Sequence, residues 1–230
     1  MTLQGAFPPI KVDYPKSDGK PIAESDFQRK PLLYAIEALS IYFQNRPDVY
    51  VSGNLFIYYE EGNPQAHVAP DVFVVFGVEK RDRPSYFVWK EDKAPDFVLE
   101  ITSKSTASVD QGSKRGLYAY LGVQEYFQYD PTGDYLRPSL RGLRLFGDNY
   151  LSIESTISND GTLILRSNVL RLDLRLTNEG LRFYDPESGE KLLTHQESEI
   201  ARQESEKARQ EAIMRIAQLE AELKALKNKD

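Results

Sequence analysis

A glutamate stands inside a run that otherwise reads as the interior of a sheet: Phe97-Val98-Leu99-Glu100-Ile101. An unbroken apolar stretch of this length is the pattern of a strand covered on both faces, because a half-exposed strand alternates. Val72-Phe73-Val74-Val75-Phe76 is a second such run, opened by Pro70-Asp71. Two strands covered on both sides require layers packed above and below, which makes this an α/β chain with helices against a sheet. The carboxylate is the anomaly. Left unpaired at that depth it would cost several kcal/mol, so the sequence demands a cation, a metal ion or a water-lined cleft beside it.

Asp71 raises the same question at the head of the other run. Acidic side chains on neighbouring central strands come close enough to share one divalent ion. Asp96 is the rival, since it also follows a proline. It sits four residues before Glu100 on the same strand, roughly 13 Å away, which is too far to chelate with it. Asp71 is therefore the expected mate of Glu100. The ion type follows from what is missing. The chain has no cysteine and only two histidines, His67 and His195. Thiolate and histidine-rich sites are excluded, and oxygen ligands point to Mg²⁺ or Mn²⁺.

Around these strands the organisation is regular. Residues 1–24 read as an extended arm. Ser25 or Asp26 is placed to cap a helix whose apolar residues recur from Leu32 to Phe43. Val49–Val51 and Leu55–Tyr59 read as strands. After the Glu100 strand and a polar loop, Asp110 to Leu121 has helical pattern closed by Gly122, and Val123–Tyr129 reads as another strand. From 142 to 184 short strands recur between turn signals, an antiparallel β-rich half.

Asp110, Lys114 and Tyr118 are spaced i, i+4, i+8 and share one face of the helix after the Glu100 strand. A lysine there can reach back to the strand's carboxyl end, where α/β sheets place their ligands. It can equally form an ordinary surface ion pair with Asp110. Tyr118 fits a core position better than a chemical one, and His67 reads as polar surface.

At this point a resemblance becomes specific. Val68-Ala69-Pro70-Asp71-Val72, then Pro95-Asp96-Phe97-Val98-Leu99-Glu100-Ile101, Ser103 and Ser105-Thr106 resemble a large bacterial family of restriction-endonuclease-like proteins in the PD-(D/E)xK nuclease superfamily. The likeness continues through Asp110, Lys114, Tyr118, Leu121-Gly122-Val123, Glu125-Tyr126 and Asp130-Pro131, and covers roughly 25–185. It implies a restriction-endonuclease-like mixed sheet flanked by helices, with Asp71 and Glu100 as the metal-holding acids. The lysine usual two residues after the glutamate is Thr102 here, a departure from the superfamily pattern. The resemblance implies that its role moves to the following helix, at Lys114, with Lys104 a spare in the loop. A first-helix glutamate often joins such sites; Glu24 and Glu37 both qualify. The implied activity is Mg²⁺-dependent hydrolysis of phosphodiester bonds in DNA. The alternative is an inactive nuclease-like fold that binds nucleic acid or protein.

Expected boundaries are an arm over 1–24, the nuclease-like domain over 25–193 and a helical coiled-coil tail over 194–230. The tail lacks Gly, Pro and large aromatics. From Thr194 on, eight acidic residues oppose seven basic ones, which is salt-bridge lacing and unsuited to a nucleic-acid arm. Ala212, Leu219 and Leu226 fall seven apart, as do Ile216 and Leu223, giving a short a/d seam. No run has signal-peptide or membrane-span character, so a cytoplasmic protein is expected. The seam predicts a homodimer in which two-fold symmetry presents one site to each DNA strand. Sedimentation should show a dimer for the full chain and a monomer for a truncation ending at Leu193; two monomers at high concentration would remove the tail as an assembly device.

Overall fold

The computed structural model describes residues 12–16, 25–102 and 112–227. It divides into two compact units, Met1–Leu192 and Leu193–Asp230. In the first, helix α1 (Asp26–Tyr42) opens with Ser25 as N-cap in a reciprocal capping box with Gln28. Its residues Leu32, Ala35, Ala38 and Leu39 are buried, three and four residues apart, the stripe of a helix lying on a sheet.

That sheet has six strands: β1 (Val49–Ser52), β4 (Val72–Phe76), β6 (Phe97–Ile101), β7 (Glu125–Tyr129), β8 (Leu140–Phe146) and β9 (Asn149–Ser152), in the order β1-β4-β6-β7-β8-β9. Only β6 and β7 run parallel; the other pairs are antiparallel. A parallel pair needs a crossover, and helix α3 (Ser113–Tyr120) lies in this connection. The short helix α2 (Val88–Glu91) precedes β6. All five residues of β6 and of β7 are buried, as the unbroken apolar runs require.

Two cores cover the sheet. On one face α1 packs with Val72, Val74, Leu99 and Phe127 and with a four-stranded antiparallel sheet of β10 (Ser155–Ile157), β11 (Leu163–Ser167), β12 (Leu172–Thr177) and β13 (Gly180–Tyr184). On the other face Phe73, Val98 and Tyr126 pack with Tyr118 of α3 and with a three-stranded sheet of β3 (His67–Val68), β2 (Ile57–Tyr58) and β5 (Tyr86–Phe87). This is the mixed α/β architecture expected, with the antiparallel elaboration toward the C-terminus. The short strands β3, β5 and β10 were not legible in the sequence. The second unit is one helix, α4 (His195–Lys227), laced by pairs such as Arg202–Glu199 and Arg209–Glu206. Its Ile213, Met214, Ile216 and Leu219 are exposed.

Residues 12–16 lie against the three-stranded sheet. Tyr14 meets Tyr58, Phe87 and Trp89 at ring-centroid distances of 5.0, 5.3 and 5.6 Å. Its hydroxyl accepts from the Gly62 N–H at 2.7 Å, and the Tyr58 hydroxyl donates to the Pro15 carbonyl at 2.5 Å.

Two buried acids serve the frame. Glu125, fully buried at the start of β7, accepts from Arg144 at 2.7 Å, from the Ser167 hydroxyl at 2.5 Å and from the Asn168 N–H at 3.0 Å. It ties the six-stranded sheet to the turn after β11. Asp130, just past β7, accepts from the N–H groups of Thr132, Gly133, Tyr135 and Leu136 and from the Thr132 hydroxyl. Burial pushes its pKa up, but the Tyr135 and Leu136 N–H groups, with Thr132, outweigh this and hold the carboxyl below the ordinary aspartate value. A depressed folded-state pKa gives stability that is present above the unfolded value and lost as pH falls through the folded one. Asp130→Asn should therefore lower the melting temperature at neutral pH, and the gap to the natural chain should close on acidification toward pH values below the ordinary aspartate range. A gap that is constant with pH would exclude the carboxylate as its cause.

Candidate active site

Glu100 lies on β6 with 1% of its surface exposed. Even positions of β6 share a face, so Glu100 looks the same way as Val98, toward α3. From that helix Lys114 Nζ reaches Glu100 Oε2 at 2.9 Å, and the Tyr118 hydroxyl donates to Oε1 at 2.6 Å. Lysine and tyrosine are one helical turn apart, so a single helix face grips both carboxylate oxygens. The cation that the sequence required beside Glu100 is Lys114. Its side chain keeps 18% of its surface exposed, against 1% for the glutamate it holds.

Asp71 approaches from β4. The antiparallel register pairs Val72 with Leu99 and Phe73 with Val98, and Asp71 stands one residue before this ladder. The ladder ends there, and Asp71 Oδ2 accepts from the Ile101 N–H at 2.6 Å in place of a missing backbone rung. What lets the chain enter at this point is Gly53. A Cβ at that position would stand 2.0 Å from the Asp71 carbonyl oxygen and 2.6 Å from Ile36 Cδ1. The neighbouring Asn54 N–H donates to the Pro70 carbonyl at 3.0 Å, so the turn after β1 clamps the Pro-Asp pair.

Asp96 is engaged elsewhere. Its Oδ2 accepts from the Phe76 N–H at 2.8 Å and its Oδ1 pairs with Lys93 at 3.1 Å. His67 is held by the Pro64 carbonyl at 2.9 Å and packs on Phe56. A small recess beside Asp71 is lined by Gln28, Leu32 and Ile101; Glu37 of α1 is half-buried and is not part of that lining. Glu24, Lys104 and Asp110 lie outside the described residues. Thr102 is 2% exposed, and its hydroxyl has no hydrogen-bond partner among the described residues. Two residues past Glu100 on the same face, it occupies the position of the usual lysine.

Among the described residues no group of three or more Asp, Glu or His converges as a metal cage. The donor set present is Asp71 and Glu100. Two carboxylates with water and substrate oxygens suffice for Mg²⁺, which seldom takes an all-protein cage. Each carboxylate oxygen can accept more than one bond, so bonds such as those from Lys114, Tyr118 and Ile101 do not by themselves preclude an ion. An orphaned buried hydroxyl at Thr102 also suits a hydrated ion nearby. The residues fit such a group.

A family model described as "Uma2: Putative restriction endonuclease" matches residues 4–179. The chain belongs to the Uma2 family. Among solved structures it is similar to a putative nuclease of DUF820 from Anabaena variabilis, with 12% identity over 61% of this chain and 76% of that one and a TM-score of 0.44. No curated protein matches the sequence. Among the described residues no helix is long and apolar enough to cross a membrane.

The residue that sequence reasoning undervalued is Tyr118. It is buried, as a core residue would be, yet its hydroxyl holds the central acid. The available signal was its i+4 spacing from Lys114. A hydrogen bond to a buried charge is worth roughly 1.5–3 kcal/mol, so Tyr118→Phe should lower the free energy of unfolding in urea by about that amount. A loss below roughly 0.5 kcal/mol, the range of ordinary surface changes, would show that Lys114 alone compensates Glu100.

Proposed function

We propose that this Uma2-family chain is a Mg²⁺- or Mn²⁺-dependent nuclease that hydrolyses phosphodiester bonds in DNA. The observation that carries this reading is the grip of Lys114 and Tyr118 on buried Glu100 of β6, with Asp71 bonded to the next residue, Ile101, of the same strand. A purely structural ion pair has no need of a second acid on the next strand. Asp71 and Glu100 are the residues that would hold the ion. When bound, a divalent ion there polarises a phosphoryl oxygen and makes its water more acidic.

The chain's own groups account for the rest. Lys114, held 2.9 Å from Glu100, is the group that would offset negative charge developing on the phosphoryl oxygens. Tyr118 fixes the Glu100 carboxylate so that it need not reorganise during reaction. Asp71, anchored on the Ile101 N–H, is fixed in the same way. In the hydrolysis a water oxygen forms the new P–O bond, the ester P–O bond opposite breaks, and the leaving oxygen takes up a proton. A homodimer through the α4 seam would set one such site against each strand of a duplex.

The test separates metal from catalysis. Millimolar Mn²⁺ or Mg²⁺ should raise the melting temperature, because any ligand of the native state stabilises it, by about 2.7 kcal/mol at a hundredfold excess over Kd. Asp71→Ala or Glu100→Gln should abolish that rise. Lys114→Met should keep it while cleavage of duplex DNA falls roughly 10²–10³-fold. An unchanged melting temperature in millimolar Mn²⁺ would remove the metal site. Retained metal binding with no cleavage by the unaltered chain would favour the binding-module reading, in which Thr102 marks a lost lysine.

A further inference from the structure

A single register runs from Glu100 across the sheet. Glu100 pairs with Gln128 on β7, and Gln128 pairs with Arg141 on β8. Opposed residues share a face, so Glu100, Gln128 and Arg141 form one row across three strands, acidic at one end and basic at the other. At the basic end lies a cleft of about 440 Å³. Its polar lining is Arg115 from α3, Gln128 and Arg141 from the row, Arg137 from the β7–β8 connection, and Ser152 and Ser155. Three guanidiniums and two hydroxyls enter this lining, and among the described residues no carboxylate does.

Among the described residues these arginines are not spent on structural ion pairs. Arg115 donates to the Tyr150 carbonyl at 3.0 Å, and Arg141 to the Arg137 carbonyl at 2.5 Å. Neutral acceptors orient a guanidinium without cancelling its charge, and each retains further N–H donors. In contrast, Arg144 on the opposite face of β8 is committed to Glu125 at 2.7 Å. A local concentration of positive charge is unexpected in a chain of net charge −6; charge arranged against the overall balance is a recognition feature.

The geometry points to a phosphate-binding subsite for the DNA backbone in the Arg115–Arg137–Arg141 cleft, an inference that rests on the nuclease reading of the Asp71–Glu100 site. Two strand spacings separate Glu100 from Arg141, roughly 10 Å. A strand whose scissile phosphate lies at Glu100 and Lys114 thus lays a neighbouring phosphate over the arginines, while Gln128 sits between. Guanidinium forks suit phosphate oxygens. Phosphate contacts of this kind set the register of the strand and carry no base information.

Binding can be measured apart from cleavage, by fluorescence anisotropy of a fluorescein-labelled duplex DNA with EDTA present, titrated at several salt concentrations, with Mg²⁺-dependent cleavage followed in parallel. Arg137→Ala with Arg141→Ala should weaken binding about tenfold, and the slope of log K against log salt should shrink by about 0.9 for each phosphate no longer neutralised. Arg137→Ala alone, at an exposed position, should show one such step with an unchanged melting temperature. Lysine at both positions should restore the slope, since a point charge still displaces counterions. If the double alanine variant binds as tightly and with the same slope as the natural chain, the cleft is not the subsite, and the nuclease reading stands on its own cleavage assay. If Arg46→Ala, in the turn after α1, costs as much as the double variant, the effect is general charge and the proposal falls. If the natural chain fails to bind or cleave the duplex, subsite and nuclease reading fall together.

Discussion

A carboxylate 1% exposed on a central strand is the constraint around which the rest is arranged. Burying that charge alone would cost more than the net stability that most single interactions contribute. Lys114 and Tyr118 meet the cost from one helix face. This fixes where α3 must sit, and hence how the chain crosses from β6 to the parallel β7. The helix cannot slide by a turn without stranding Glu100. A pair assembled in this way is pre-positioned by the fold itself.

Three buried acids in this domain show how differently such groups can be used. Glu125 is closed in by an arginine, a hydroxyl and backbone N–H groups. Asp130 is saturated by the turn that it organises. Both are structural because protein donors surround them on every side. Glu100 takes a cation and a hydroxyl from one helix face, and the next strand brings a second acid to it. Sequence distance hides this contrast. The partners of Glu125 lie 19 and 42 residues away, whereas Glu100 finds Lys114 and Tyr118 within one crossover.

Much of the frame was legible because its causes are local. The unbroken runs at 72–76 and 97–101 announce covered strands, Ser25 and Gln28 announce the start of a helix, and a Glu inside a core strand announces a partner. Lys114 could be singled out by helix spacing. Tyr118 shares that spacing, but a buried tyrosine and a core residue give the same pattern until the carboxylate beside it is placed. Strands β3, β5 and β10 span two or three residues, too few for any period to register. The arginine cleft was invisible for another reason: positions 115, 137 and 141 are joined only by the β7–β8 register and the placement of α3.

The short segment at 12–16 has a practical bearing on any trimmed form of the protein. Tyr14 shields a patch of ring faces and edges from Tyr58, Phe87 and Trp89, and its hydroxyl and the Pro15 carbonyl bond the Gly62 N–H in the turn after β2 and the Tyr58 hydroxyl. A chain shortened to begin at α1, though it would keep every residue of the candidate site, would present that aromatic patch to solvent. Exposed contiguous apolar surface of this kind promotes self-association. Poor solubility after such trimming would then report an uncovered surface, and not a failure of the domain to fold.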